Sequence, residues 1–266
     1  MKKIAFIGGG KMASAIAAGL VKDPSSSFCQ IRAFDPDPRA AERFFSVTNV
    51  HCNSTLAETL AGAQIVLICV KPQYVREALA GAEELLKGKL LISIAAGVSL
   101  EKLSALTGTD RIIRVMPNTP ALAGEGMSCY CSGRGVTAQD EADAGAILSS
   151  FGLCKAVPER LMDAVTGLSG SGPAYVFEFI MALADGGVME GLPRDTALLL
   201  AAQTVMGSAK MVLESKEHIA VLRDNVISPG GTTACGVAAL DEGAFRSTVS
   251  KAVSAAAKRS GELGKL

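Results

Sequence analysis

Gly8-Gly9-Gly10-Lys11-Met12-Ala13 fits the pattern G-x-G-x-x-A, directly after a short apolar run and before a stretch of helical spacing. In that setting the first glycine permits a tight turn, the second lets the backbone approach a pyrophosphate, and Ala13 allows the helix to lie close to the strand. The opening amides of the helix add partial positive charge, which suits an anionic group. Six residues alone could be a glycine-rich turn with no ligand; in a strand–turn–helix context they predict a dinucleotide site. Asp35 closes the next strand, 25 residues after Gly10. A carboxylate there accepts hydrogen bonds from both ribose hydroxyls of NAD and repels the extra phosphate of NADP, while Arg32 and Arg39 are near enough in sequence to soften that repulsion. The expectation is a preference for NADH without strict exclusion of NADPH. The other role open to Asp35 is to begin the turn Asp35-Pro36-Asp37-Pro38 and cap the following helix. A second glycine loop, Ser228-Pro229-Gly230-Gly231-Thr232-Thr233, precedes a short helical run to Leu240. Glycine amides at a helix start can hold a carboxylate, or the threonines can form an ST turn or N-cap.

The elements that must position these residues follow one alternation through the first half. Apolar, β-branched runs fall at Lys3–Ile7, Gln30–Phe34, Ile65–Val70, Leu90–Ile94 and Arg111–Val115, with a weak one at Val50–Cys52. Helical patterns lie between them at Met12–Val21, Pro38–Phe45, Tyr74–Leu86 and Leu100–Leu106. Strands apolar throughout, alternating with helices, predict an α/β fold with a parallel, doubly wound sheet. Val70-Lys71-Pro72, Ala95-Ala96-Gly97 and Met116-Pro117-Asn118-Thr119-Pro120 follow strands at the carboxyl edge, where such sheets bind ligands. Together they outline a cleft, with Asn118 a candidate partner for nicotinamide or water, and two prolines in five residues predict a loop there. A strand at Met127–Tyr130, a helix over Ala138–Phe151 and a strand at Leu153–Val157 complete the sheet.

From Glu159 the strand signal ends. Pro173–Glu190, Asp195–Ser215 and Phe245–Leu263 are helical, and Ser169-Gly170-Ser171-Gly172-Pro173 either starts a helix or kinks a longer one. The composition shift at Pro158 divides the chain into domains 1–158 and 159–266. Ala197-Leu198-Leu199-Leu200-Ala201-Ala202 has no polar side, so an all-α second domain of this size predicts a homo-oligomer.

Composition narrows the function classes. With 26 Lys+Arg against 26 Asp+Glu the formal charge is zero, which argues against nucleic acid or an anionic membrane as main partner. Seven cysteines without a C-x-x-C pair, and two histidines, His51 and His218, away from any ligand cluster, predict neither a disulfide framework nor a metal site. His218 reads as a helix-terminal residue and not a base. The apolar start Ile4–Ile7 breaks at Gly8, too soon for a secretory leader, and no uninterrupted apolar run reaches about 18 residues. The expectation is a soluble, cytoplasmic protein.

Three segments carry a resemblance over nearly the whole chain. Asp163-Ala164-Val165-Thr166-Gly167-Leu168-Ser169-Gly170-Ser171-Gly172-Pro173-Ala174-Tyr175, Ala182-Leu183-Ala184-Asp185-Gly186-Gly187 and Asp224-Asn225-Val226-Ile227-Ser228-Pro229-Gly230-Gly231-Thr232-Thr233 resemble the signature segments of the pyrroline-5-carboxylate reductase family. The fingerprint, Val70-Lys71-Pro72 and Arg114–Pro120 extend the likeness. The resemblance implies reduction of 1-pyrroline-5-carboxylate to L-proline with NADPH or NADH, the last step of proline biosynthesis. It also implies an N-terminal Rossmann-type domain and an all-α C-terminal dimerisation domain that interleaves with its counterpart, with dimers gathered into a decamer. The loop Ser228–Thr233 would then cradle the substrate carboxylate through Ser228, Gly230, Gly231 and Thr232, and Thr233 would reach the ring nitrogen as the catalytic hydroxyl. Glu159, Asp224 and Asn225 match positions that line or support this pocket. The cofactor would lie on Ile7, Gly8, Gly9, Gly10, Lys11 and Met12. Further contacts would come from Asp35, Val70, Lys71, Pro72, Ala96 and Asn118, and from Asn225.

Hydride transfer is the cofactor's chemistry, so the protein needs mainly to hold the nicotinamide over the imine carbon. Thr233 would polarise the nitrogen, and no strong general acid is required. Three positions depart from relatives. Many carry a small polar residue where Asp35 stands, some carry Asn where Leu56 stands, and some place an acid near Lys216, which cannot take that role here. A related imine or hydroxyacid reductase would be expected to use a lysine on the first interdomain helix, where this chain offers Ser169, Ser171 and Tyr175. A non-catalytic dinucleotide sensor would keep the fingerprint but have no use for Asp224–Thr233.

Overall fold

Ile65-Val66-Leu67-Ile68 and Leu90-Leu91-Ile92-Ser93 are each at most 1% exposed. Strands apolar along their whole length are stable only where helices cover both sides of the sheet, and that is the arrangement found. The computed structural model describes residues 2–22 and 28–264. Its strands are β1 (Lys2–Ile7), β2 (Phe28–Phe34), β3 (Ile65–Ile68), β4 (Leu90–Ser93), β5 (Ile112–Met116), β6 (Gly126–Ser132) and β7 (Gly152–Ala156). They form one seven-stranded sheet of order β2-β1-β3-β4-β5-β6-β7.

Alternation along β1 assigns the two cores. Ile4 and Phe6 face α1 (Lys11–Lys22), α2 (Pro38–Thr48) and α7 (Ala138–Ser149). Ala5 and Ile7 face α3 (Leu56–Leu60), α4 (Val75–Leu79), α5 (Glu83–Leu86) and α6 (Leu100–Thr107).

All neighbouring strands run parallel except β5 and β6. The exception has a local cause. Only a short 3₁₀ turn, Thr119–Ala123, joins β5 to β6, and a connection without a crossover helix returns antiparallel. Pro120 sits in the first turn of this 3₁₀ segment, where its missing N–H costs nothing, so the two prolines do not exclude regular structure as expected from sequence.

Other boundaries differ for equally local reasons. The helix expected over Tyr74–Leu86 is broken at Gly81, whose φ of +73° ends one helical run and starts another. The helix over Pro38–Phe45 extends to Thr48 and stops at Asn49 in the left-handed region, φ 56°. The weak strand at Val50–Cys52 amounts to a single bridge, Ala33 to Cys52. α3 was not foreseen; a capping box between Thr55 and Glu58 nucleates it.

The chain falls into two compact units, residues up to Ser171 together with Ala255 onward, and Gly172–Ser254. The composition change at Pro158 precedes this division. The intervening stretch is already helical, with α8 (Met162–Val165) and a π-helical turn at Thr166–Gly170, yet it belongs to the first unit. The second unit holds α9 (Gly172–Met189), α10 (Arg194–Glu214), α11 (Ile219–Asp224), α12 (Thr232–Glu242) and the first half of α13 (Phe245–Leu263).

Its only buried apolar side chains among the described residues are Ala184, Ala197 and Ala201. Leu199 and Leu213 stand 69% and 72% exposed. α10 is long and apolar enough, by length and composition, to cross a membrane, although Gln203, Ser208 and Lys210 interrupt it.

Candidate active site

The fingerprint turn is closed by its own unit. The Gly8 amide donates to the Phe34 carbonyl at 2.8 Å and the Gly9 amide to Asp35 Oδ2 at 2.7 Å. Gly8 has φ +102°, and a Cβ there would fall 2.7 Å from the Cys69 carbonyl oxygen, so no other residue fits. Gly10 is different, because a Cβ on it would meet nothing within 4 Å. The space a side chain would fill lies at the N-terminus of α1, whose first-turn amides have no intrahelical acceptor. This is the free volume and donor set a pyrophosphate needs, and the residues present therefore fit a dinucleotide.

Asp35 begins the turn expected of it but does not cap the following helix. Its Oδ1 accepts from the Asp37 amide at 2.9 Å while Oδ2 holds Gly9, so it shapes the turn, and Asp37 caps α2. Each carboxylate oxygen keeps a second lone pair for a ribose hydroxyl. Arg32 does not soften this charge. Its guanidinium donates to the carbonyls of Glu58 and Ala61 at 2.9 and 3.2 Å, around α3. Arg39 remains exposed beside the turn.

Ile7, at the end of β1, is buried in the core and positions the turn by packing. Lys11, Lys71, Pro72 and Ala96 are exposed at strand and helix ends, and Met12 and Val70 are half-buried. The Asn118 side chain is already engaged. Its Oδ1 accepts from the Met127 amide at 2.8 Å and its Nδ2 donates to Ser169 Oγ at 3.3 Å. Asn118 thus ties the end of β5 to β6 and to the π-helical turn. Gly170 in that turn approaches Met116 so closely that a Cβ would lie 2.4 Å from its terminal methyl.

Glu159, matched to a position that lines or supports the substrate pocket, clamps two elements of the first unit. Its Oε1 accepts from the Leu100 amide at 2.8 Å, at the start of α6, and from Arg114 at 3.0 Å. A buried arginine in the middle of a sheet requires such a partner, and this demand is invisible in the spacing of the two residues.

Burial disfavours the thiolate form of Cys52, Cys69, Cys129 and Cys131. Burial pushes Cys69 and Cys129 upward and Cys131 up to about 11. The six cysteines whose side chains are described are free.

In the second unit, Asp224 ends α11 and Asn225 caps it. Asp224 Oδ1 accepts from Arg223 at 2.6 and 2.9 Å. His218 caps the other end of α11, accepting from the Ala220 amide through Nδ1 at 3.2 Å. Gly230 has φ +64°, and a Cβ there would meet nothing within 4 Å. Gly231 is the N-cap of α12 and supplies no side-chain acceptor, so the opening amides of that helix stay free. Ser228 closes the turn, its carbonyl accepting from the Gly231 amide at 3.0 Å. A Cβ on Gly231 would fall 2.1 Å from Ser228 Oγ, so any other residue there would turn the serine hydroxyl away. Thr232 is exposed and Thr233 half-buried on the first turn of α12.

A glycine-fingerprint α/β sheet followed by a helical unit defines the class of two-domain nicotinamide-dependent oxidoreductases. Residues 159–263 match the family model described as pyrroline-5-carboxylate reductase dimerisation. Residues 3–97 match that described as NADP oxidoreductase, coenzyme F420-dependent. A pyrroline-5-carboxylate reductase of Arabidopsis thaliana is 48% identical over 98% of this chain and 95% of its own. That of Escherichia coli is 42% identical over 99% of both. The crystal structure of Plasmodium falciparum pyrroline carboxylate reductase with NADP bound is 36% identical, with a TM-score of 0.87 over 99% of this chain and 98% of that one. The chain belongs to the pyrroline-5-carboxylate reductase family.

Proposed function

We propose that the protein reduces 1-pyrroline-5-carboxylate to L-proline with NADPH or NADH as hydride donor, the last step of proline biosynthesis. The observation that carries this reading is the pair of uncapped helix N-termini behind glycine turns, one fitted to a pyrophosphate and one to a carboxylate. When bound, the reduced nicotinamide supplies the hydride. The chain's own residues bind and orient. The amides at Gly10, Lys11 and Met12 take the pyrophosphate, and Asp35 takes the adenine ribose. Ser228, Gly230, Gly231 and Thr232 hold the substrate carboxylate. Asp224 and Asn225 support the loop, with Asn225 also facing the cofactor. The Thr233 hydroxyl donates to the ring nitrogen, which draws electron density from the imine carbon as hydride arrives there.

The helical unit exposes too much apolar surface to be stable alone, and a second copy covers it. In this reading the functional division stays at 1–158 and 159–266, dimers gather into a decamer in the cytoplasm, and the Ser228–Thr233 loop serves the cofactor cleft of the neighbouring copy. Asp35 favours NADH. Asp35→Ser should raise kcat/KM for NADPH relative to NADH, and a wild type preferring NADPH would overturn that role.

The direct test follows cofactor absorbance in a mixture of purified protein, NADH or NADPH, and pyrroline-5-carboxylate. Oxidation stoichiometric with proline formed is expected; no oxidation with either cofactor would reject the function.

A further inference from the structure

The last turn of α13 packs against the carboxyl edge of the sheet. Gly264 lies against the turn that follows β4. A Cβ on Gly97 would fall 3.6 Å from the Gly264 Cα, and one on Gly264 would fall 3.2 Å from the Gly97 carbonyl oxygen. The Gly264 carbonyl accepts from Lys102 Nζ at 2.7 Å, placing a cation at the negative end of the helix dipole. One turn earlier, Ser260 is 7% exposed and donates to Asp163 Oδ1 at 2.7 Å. Gly261 permits that approach, since a Cβ there would lie 3.3 Å from Asp163 Oδ2.

Asp163 belongs to α8, which runs directly into the π-helical turn whose Ser169 and Gly170 hold Asn118 and Met116 at the end of β5. One helix end therefore grips the turn after β4 and, through α8, the turn after β5. π-Turns of this kind lower helix stability and persist mostly where function uses them. None of these contacts takes part in the chemistry derived above.

We infer that residues 260–264 form a latch that holds the strand-end turns of the cofactor cleft in their binding geometry, with Ser260, Asp163 and Lys102 as positioning residues. A turn that samples other conformations binds with an affinity reduced by the fraction of time it is competent, and a contact made before binding removes that loss. Gly97, at φ +74°, gives the turn after β4 little intrinsic rigidity. The inference rests on the dinucleotide reading of the cleft and not on the identity of the imine.

The experiment compares wild type with Ser260→Ala, Asp163→Leu, Asp163→Asn and Lys102→Met, measuring NADPH affinity directly by calorimetry, then KM and kcat, oligomeric size and Tm. Loss of a buried hydrogen bond should weaken NADPH binding about fivefold in Ser260→Ala and Asp163→Leu. Asp163→Asn, which keeps the acceptor, should restore wild-type affinity. KM for the imine, kcat at saturating NADPH and oligomeric size should not move. Unchanged NADPH affinity in Ser260→Ala, or a loss that Asp163→Asn shares with Asp163→Leu, overturns the latch. Should a core variant fail to fold, Lys102→Met tests the same latch through its other contact, to the Gly264 carbonyl, from an exposed side chain, and unchanged affinity there counts equally against it. A wild type that binds NADPH without oxidising it in the presence of pyrroline-5-carboxylate would reject the activity, and the binding comparison would still decide the latch.

Discussion

The two glycine turns use the same physics in opposite settings. At Gly8–Met12 the amides of Gly8 and Gly9 are spent on Phe34 and Asp35, the Cβ position of Gly8 is blocked by Cys69, and only Gly10 opens onto free space. The surrounding unit has two continuous cores. At Gly230–Thr233 the turn is held by local backbone hydrogen bonds, from the Gly231 amide to Ser228 and from the Cys235 amide to Gly231, and the apolar side chains its unit buries are three alanines. The first turn is preformed by its own unit; in the proposed reading the second is completed by surroundings that a further copy provides. That reading puts rigidity where a large cofactor is held and leaves to assembly the completion of the site for a small substrate.

The largest expected effect separates two glycines in the first turn. Gly10→Val should fold with unchanged Tm and lose all measurable binding of NADPH, because its side chain fills the pyrophosphate space. Gly8→Val, blocked by the Cys69 carbonyl, should fail to fold. Equal behaviour of the two in a melting curve would break the picture of a closed turn with one open position. In the second turn, Thr233→Ala should lower kcat/KM for the imine about a hundred-fold while leaving NADPH affinity unchanged, as removal of one donor to a developing charge does elsewhere. Turnover near the wild-type level would remove the role given to that hydroxyl.

The stability of the first unit carries its own signature. Arg111 beside Asp140 holds that buried carboxyl at about 2, below its ordinary 3.8, through hydrogen bonds of 2.7 and 2.9 Å. A depressed value means the stabilisation is present above pH about 4 and is lost as pH falls towards about 2, an amount of about 2 kcal/mol. Acid unfolding should therefore weaken the sheet in that window, and Asp140→Asn should remove the step, as read by denaturant titration at a series of pH values. The smallest effect is expected at Gly230, where a Cβ has room but φ +64° strains any other residue. Gly230→Ala should cost about 1 kcal/mol, seen as a KM for the imine raised about fivefold. Loss of folding there would show the second turn to be as tightly built as the first.

Much of the fold was legible because burial on both faces writes itself into strands such as Ile65–Ile68, whose composition admits few other readings. The fingerprint was legible for the same kind of reason, since φ +102° at Gly8 can be met by little else. Strand direction was not, because β6 is antiparallel on account of the short connection before it. Nor was the break at Gly81, where apolar spacing continues across the interruption. Side-chain partners were the least readable of all. Glu159 clamps Leu100 and Arg114, Arg32 holds α3, and Asn118 spans Met127 and Ser169, over distances in sequence that no local pattern encodes.

The claim that the second site is completed by another copy can be tested by mixing two inactive variants, Gly10→Val and Thr233→Ala, under conditions that exchange subunits. If each Ser228–Thr233 loop serves the cofactor cleft of its neighbour, a mixed dimer holds one site with both lesions and one with neither, and random mixing should restore about a quarter of wild-type turnover. If each chain forms its own site, every site keeps a lesion, and a mixture no more active than its parents would contradict the account.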